Sequence, residues 1–122
     1  MENNDYKNML LSRSYNFSLD MIRLIDALPK GNLSARVIAH QIIRSATSIG
    51  ANIVEAQASS SRKDFTNFIS YSLKSANETK YWLGLLKDSK QGDAGKLEGL
   101  LREVTELSKL LGSSILSLKN RK

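Results

Sequence analysis

Residues 34–86 read SARVIAHQIIRSATSIGANIVEAQASSSRKDFTNFISYSLKSANETKYWLGLL, two long amphipathic patterns separated by a short run of serines. When the first pattern is written in rows of seven residues, one column contains only small or apolar residues, namely Ala35, Ile42, Ile49 and Ala56. The column beside it is mixed and contains Ile38, Ser45 and Asn52. This spacing is typical of the inward face of an α-helix. The second pattern has the same spacing and mixes apolar with hydroxyl residues: Phe65, Ile69, Ser72, Ala76, Thr79, Leu83 and Leu86. The stretch therefore predicts a helical hairpin.

The inward face of the first pattern carries two polar residues, Ser45 and Asn52. An unpaired polar group in a core costs about 1–3 kcal/mol, so we expect Asn52 to have a partner on a facing helix. Gly50 lies mid-helix at a cost of about 1 kcal/mol relative to alanine. A close approach by another helix is the preferred explanation for this glycine, ahead of a ligand.

Two further helical patterns flank the hairpin. The first runs from Leu10 to Leu28, and Pro29 ends it because the residue before proline is pushed out of helical geometry. The last follows the same three-and-four spacing from Leu97 to Leu118. Expected caps are Ser34 for the second helix, the capping-box spacing Ser61–Asp64 for the third, and Asp93 for the fourth. Four helices with short connections predict an all-α, antiparallel up-and-down four-helix bundle. The expected organisation is a loosely held arm over residues 1–9, the bundle over 10–119 and a basic tail over 120–122.

The composition is that of one globular domain, with 122 residues, 41% of them hydrophobic and 25% charged. The chain has no cysteine, which excludes a disulfide framework and a thiolate metal site. Its first residues are polar and acidic, unlike a secretory signal, and no run approaches the ~18 apolar residues of a membrane helix. We therefore expect a soluble cytoplasmic protein with no membrane partner.

Several stretches together resemble one protein family. They are RSATSIGANIVEA (44–56), KDF (63–65) and SANETKYWL (75–83), with SYNF (14–17) and LPK (28–30) on the flank. In these motifs the sequence resembles the four-helix-bundle proteins encoded within intervening sequences of bacterial 23S rRNA genes, and because the motifs are spread from residue 14 to residue 83, the resemblance extends over most of the chain. The resemblance implies a bundle that associates as a ring of five, similar to the nucleic-acid-binding accessory proteins of diversity-generating retroelements. It does not imply a defined biochemical activity.

The third helix carries more apolar surface than one core needs. Beyond its core line it has Tyr71, Tyr81, Trp82 and Leu85, and a bundle helix normally keeps its outer face polar. We expect these four residues to form an oligomer interface, since tyrosine and tryptophan are favoured at interfaces. The alternative is that the aromatic side chains cover the ends of the bundle.

The residues needed for catalysis are scarce. His40 is the single histidine, and an exposed or partly packed side chain is the preferred reading over a base or ligand. The chain contains no Glu-x-x-His pair, phosphate-binding glycine loop or zinc signature. We expect no catalytic residues, metal, cofactor or small-molecule substrate. Glu55 and Glu78 are read as members of a structural polar network with Ser45, Asn52 and Ser75; the alternative is an acid pair at a site.

The net charge of +6 is concentrated in the central hairpin, where residues 29–87 hold eight Lys or Arg and three acids, a net of +5. Such a balance suits a polyanionic partner, although it also serves solubility. The candidate nucleic-acid-binding residues are Arg36, Arg44, Arg62, Lys63, Lys74, Lys80 and Lys87, with the tail residues Lys119, Arg121 and Lys122. The first hypothesis is therefore a non-enzymatic ring, a homopentamer, that binds RNA or DNA through repeated basic surfaces. A protein-interaction scaffold is the second hypothesis, and a small enzyme the third.

Overall fold

The computed structural model describes residues 3–120, which form four α-helices and their turns. The helices are α1 (Asn3–Asp26), α2 (Leu33–Ala56), α3 (Arg62–Asp88) and α4 (Ala94–Lys119). Consecutive helices pack side by side and α1 also packs against α4, so the four enclose one apolar core. Residues 3–120 contain no strand. The prediction of an all-α four-helix bundle is confirmed.

The first helix begins earlier than the sequence predicts, since residues 3–9 belong to α1 rather than to a loose arm. Tyr6 accounts for the difference: its hydroxyl donates to the Leu110 carbonyl oxygen at 3.0 Å and lies 2.6 Å from Ser114 Oγ. These contacts with α4 offset the entropy lost when the first turns become ordered. Residues 1–2 of the predicted arm and residues 121–122 of the predicted tail lie outside the described part of the chain.

The caps agree with the predictions for two helices and differ for one. Ser61 Oγ accepts from the Asp64 backbone N–H, and Asp93 Oδ1 accepts from that of Lys96, each at 3.0 Å. The prediction of Ser34 as the α2 cap is wrong, because Asn32 Oδ1 accepts from the Ala35 N–H at 3.1 Å. Serine and asparagine are about equally good caps, so local preference does not choose between them.

Asn52 lies at the edge of the buried face of α2. Within residues 3–120 it does not have the expected hydrogen-bond partner on a facing helix. Asn52 Nδ2 instead donates to the Ser48 carbonyl oxygen of its own helix at 2.9 Å. A seven-residue line drifts by about 20° per heptad on a straight α-helix. Asn52 follows Ser45 by one heptad, so it lies further towards solvent, whereas Ser45 is fully buried.

The α2–α3 contact is bridged by hydroxyl groups. Thr79 Oγ1 lies 2.9 Å from Ser45 Oγ, and Ser72 Oγ donates to the Ile49 carbonyl oxygen at 2.8 Å. On the other side of α2, a Cβ on Gly50 would lie 3.1 Å from Ser14 Oγ of α1, so the expected close approach of a helix at Gly50 is confirmed. Within residues 3–120, no helix has both the length and the apolar character that crossing a membrane requires.

Candidate functional site

The candidate nucleic-acid-binding residues lie at both ends of the bundle and along its side. The 27 residues of α3 span roughly 40 Å at 1.5 Å per residue. Arg62 and Lys63 are exposed at the start of α3, at the same end of the bundle as Lys119. Arg36 and Lys87 are exposed at the opposite end. A single chain therefore presents separate basic positions and not one continuous patch.

Two of these cations are engaged within the bundle. Arg44 forms an ion pair with Glu78 of α3, and the Lys80 Nζ donates to Ser108 Oγ of α4 at 3.0 Å. Lys74, in the middle of α3, is exposed and forms no ion pair within residues 3–120. The positions that offer unpaired charge to a polyanion are therefore at the helix ends and at Lys74.

Glu78 is the centre of a surface cluster that joins α2 to α3. Its Oε2 accepts from Arg44 Nη2 and, at 2.9 Å, from the indole Nε1 of Trp82. Gln41 Oε1 accepts from the same guanidinium at 3.1 and 3.3 Å. An exposed ion pair contributes about 0–1 kcal/mol, so the main effect of this cluster is to hold the Trp82 ring in one orientation.

The predicted polar network is split by the structure. Ser45 and the Ser75 carbonyl oxygen both lie within hydrogen-bond distance of Thr79 Oγ1, at 2.9 and 2.7 Å. Glu78 belongs to the surface cluster, and Asn52 bonds within its own helix. Glu55 is exposed near the end of α2. Glu78 pairs with Arg44, which lies several turns before Glu55 on that helix, so the two carboxylates do not form an acid pair. Thr79, which the sequence placed only on the core line, is the residue that connects the network.

Three of the four predicted interface residues expose much of their side chains. Tyr81 is 62% exposed, Tyr71 47% and Leu85 39%, whereas Trp82 is half-buried against the core. The Tyr81 and Trp82 rings meet edge to face with centroids 5.1 Å apart. Tyr71, Tyr81, Trp82 and Leu85 lie along the outer side of α3 and are called the aromatic ridge below.

The sequence did not single out a second apolar surface, which lies between α1 and α2. This α1–α2 groove has an open volume of about 660 Å³. Its rim carries Tyr15 and Val54, which are 66% and 56% exposed. The lining residues are Asn8, Leu11, Ser12, Ser14, Tyr15, Asn16, Ser18, Thr47, Gly50, Ala51 and Val54. The sequence feature that could have indicated this groove is the presence of two large side chains, Tyr15 and Val54, outside the core lines of their helices.

An ion pair between α1 and α4 was also not predicted. Arg13 Nη2 and Nε donate to the two carboxylate oxygens of Glu103 at 2.7 and 3.0 Å. The hydrogen bonds that Arg13 donates to the Glu103 carboxylate raise the pKa of Arg13 above its ordinary value. The two residues are 90 positions apart, so no local pattern indicates the pair.

His40 and the acidic side chains are the groups of residues 3–120 to consider for catalysis or metal binding. Within residues 3–120, no group of three or more His, Asp or Glu side chains is placed to hold a metal ion. His40 is exposed and lines, together with Asp26 and Arg36, an open cavity of about 450 Å³ between α1 and α2. A cavity of about 320 Å³ at one end of the bundle has a mainly apolar lining that includes Leu10, Phe65 and Ile69. The two most prominent exposed apolar features of residues 3–120 are therefore the aromatic ridge and the α1–α2 groove.

Comparisons with known proteins agree with the architecture. A crystal structure of a protein with unknown function from the S23 ribosomal protein family of Bacteroides thetaiotaomicron VPI-5482 matches with a TM-score of 0.82. The two chains are 38% identical, and the match covers 90% of this chain and 97% of the other. No curated protein matched the sequence.

A sequence model of the 23S rRNA-intervening sequence protein family matches residues 7–113. The match extends from the first turns of α1 into the last turns of α4, so it includes every helix of the bundle. Neither the name of the matched family nor that of the solved structure specifies a reaction. The chain belongs to the 23S rRNA-intervening sequence protein family.

Proposed function

We propose that this protein is a non-enzymatic four-helix bundle that assembles into a ring, a homopentamer, and binds RNA or DNA in the cytoplasm. The observation that carries the proposal is that α3 displays two kinds of surface at once. Its outer side holds the aromatic ridge, and Arg62, Lys63, Lys74 and Lys87 are exposed along its length. A helix that mediates self-association would then present its cations once in every subunit of the assembly.

Repetition supplies what a single chain lacks. The exposed cations of one bundle are separated by up to the length of α3, so one copy makes few simultaneous phosphate contacts. In a ring, the same positions recur around the assembly, and linked contacts raise the overall affinity without any new interaction. Each phosphate contact releases counterions, so the logarithm of the affinity falls with the logarithm of salt concentration by about 0.7–0.9 per contact. The described residues contain no base-reading motif, so binding rests on phosphates and shape.

The test is a fluorescence-anisotropy titration of short single-stranded and duplex RNA and DNA at several salt concentrations. Arg62→Glu/Lys63→Glu should weaken binding at least tenfold at low salt and make the salt dependence less steep. The fold should survive, because acidic side chains are favourable in the first turn of a helix and Ser61 still caps α3.

The matched control is Arg102→Glu/Lys109→Glu, which makes the same charge change at two exposed positions of α4 outside the candidate set. It should weaken binding much less than the α3 variant. Equal loss in both variants would show that only net charge matters. Lack of binding at low salt by an assembled wild-type protein would reject the nucleic-acid role and leave the protein-interaction scaffold, which the apolar α1–α2 groove favours.

A further inference from the structure

The open cavity beside Arg36 lies at the end of the bundle where α1 is connected to α2, and it is called the Arg36 cavity below. Its volume is about 450 Å³, within the range of about 300–1,000 Å³ that is typical of small-molecule sites. Ile22, Ile25 and Ile43 form its apolar wall, and Ile22 is 40% exposed. The cavity therefore offers uncovered apolar surface to a ligand.

Four ionisable side chains line the same cavity. Arg36, His40 and Ile43 follow one another at spacings of four and three residues, so they lie on one side of α2. Lys30 comes from the α1–α2 connection, and Asp26 is the last residue of α1. In the described part of the chain, none of these four ionisable side chains forms an ion pair. Their charges are therefore available to a ligand, whereas the α1–α2 groove has no formally charged lining residue.

This composition favours a ligand that has both an apolar and an anionic part. Inorganic phosphate would meet Lys30 and Arg36, but it would also face the Asp26 carboxylate and leave the isoleucine side chains uncovered. A nucleotide satisfies the whole cavity, because its base has an apolar face, its phosphate is an anion, and amino groups of bases donate hydrogen bonds to carboxylates. The planar side chains of Arg36 and His40 are also of the kind on which unpaired bases stack.

We infer that the Arg36 cavity receives one unpaired nucleotide of a single-stranded nucleic acid. The inference rests on the proposed nucleic-acid binding and specifies the form of nucleic acid that the protein prefers. A base in a duplex is paired and stacked between its neighbours, whereas a base of a single strand can turn outward at a lower cost. The base packs against Ile22, Ile25 and Ile43, and the adjacent phosphate lies against Lys30 and Arg36.

The test uses two variants that each alter one part of the cavity, in anisotropy titrations of a short labelled strand, alone and annealed to its complement. Ile22→Ser removes apolar contact with the base and should weaken single-strand binding about tenfold, with duplex binding unchanged. Arg36→Gln/His40→Gln should weaken single-strand binding at least about tenfold at low salt and reduce the salt dependence by about one phosphate contact. All three positions are exposed, so the fold is expected to survive.

Val37→Ser is the matched control for Ile22→Ser, since Val37 is 53% exposed at the same end of the bundle but lies outside the cavity. It should bind the single strand like wild type. Circular dichroism and light scattering establish that each variant keeps the fold and mass of the wild-type protein. Equal binding by the two serine variants, or an equal loss of single-strand and duplex binding in Ile22→Ser, overturns the inference. A changed mass in Ile22→Ser would assign the cavity to a contact between subunits instead.

Two further measurements separate the alternatives. A strand that carries a photoreactive base should crosslink to the tryptic peptide 37–44, which contains His40 and Ile43; crosslinks confined to α3 would contradict the inference. Free AMP should compete only weakly with the strand, and strong binding of AMP without binding of the strand would make the cavity a mononucleotide site. If wild type binds neither strand nor duplex at low salt, the proposed nucleic-acid function fails as well. If it binds both and Ile22→Ser weakens neither, only the role of the cavity fails.

Discussion

In the core of the α2–α3 contact the polar groups are buried neutral hydroxyls, and the Arg44–Glu78 ion pair lies at its surface. Across the α1–α4 contact they are a tyrosine and a partly exposed ion pair. Ser45 and Thr79 are fully buried and lie 2.9 Å apart. Arg13 and Glu103 each keep 33% of their side-chain surface accessible. Losing one partner of a buried pair removes a hydrogen bond from a group that water does not reach, while water replaces the partner of an exposed pair. The central hairpin should therefore be the harder contact to open, and the α1–α4 contact the easier one.

The largest effect is expected for Thr79→Val, which removes the hydroxyl and keeps the volume. Ser45 loses its partner on α3 and remains buried, so the free energy of unfolding should fall by about 1–3 kcal/mol. Urea denaturation at fixed protein concentration measures this change, since the proposed assembly would make apparent stability depend on concentration. The double variant Ser45→Ala/Thr79→Val removes both hydroxyls and should recover much of the loss. If the double variant loses more free energy of unfolding than the two single variants lose together, the pairing of the two hydroxyls is contradicted.

A smaller effect is expected for Tyr6→Phe on the α1–α4 side. The variant loses the hydrogen bond to the Leu110 carbonyl oxygen and the contact with Ser114, for a destabilisation of about 1 kcal/mol. Tyr15→Phe is the control, because it makes the same change on the same helix at an exposed side chain. If hydrogen exchange in the first turns of α1 is no faster in Tyr6→Phe than in the control, Tyr6 does not anchor α1.

Arg13→Gln should change stability less, by about 0.2–1 kcal/mol, because the ion pair with Glu103 is partly solvated. The difference from wild type should shrink as ionic strength rises from about 0.1 to 1 M, where the Debye length falls from about 10 to 3 Å. Urea is the suitable denaturant because it adds no salt. The Thr79→Val difference should be independent of salt; a similar salt dependence in both variants would remove the distinction between the two contacts.

The smallest effect is expected for Asn52→Ala, which should alter the free energy of unfolding by no more than about 0.5 kcal/mol. Within residues 3–120, the Asn52 side chain bonds only a carbonyl oxygen of its own helix, and it lies at the edge of the buried face. The sequence pattern predicted a partner for Asn52 on a facing helix. If Asn52→Ala lowered the melting temperature as much as Thr79→Val does, the result would support a partner for Asn52 on a facing helix.

Local patterns were sufficient for the helices and most of the core. The three-and-four spacing of apolar residues, Pro29 after the first pattern and the caps Ser61 and Asp93 all depend on neighbours within a few residues. The candidate surfaces were predicted less completely. The excess apolar residues of α3 were visible as a pattern, but the α1–α2 groove needs two helices in register, and its position depends on how closely Ser14 approaches Gly50.

Sequence alone determined that this chain forms four amphipathic helices around one core, that it belongs with proteins of one family, and that its central hairpin is basic. These properties follow from residue type and spacing along the chain. Only the tertiary structure decided which polar residues pair: Thr79 and not Asn52 meets Ser45, Glu78 holds both Arg44 and Trp82, and Tyr6 fastens the start of α1. Apart from Glu78 and Trp82, which are four positions apart on one helix, these pairs join residues 34 to 108 positions apart. Their geometry depends on the rotation and register of whole helices, which a sequence pattern specifies only to within a turn.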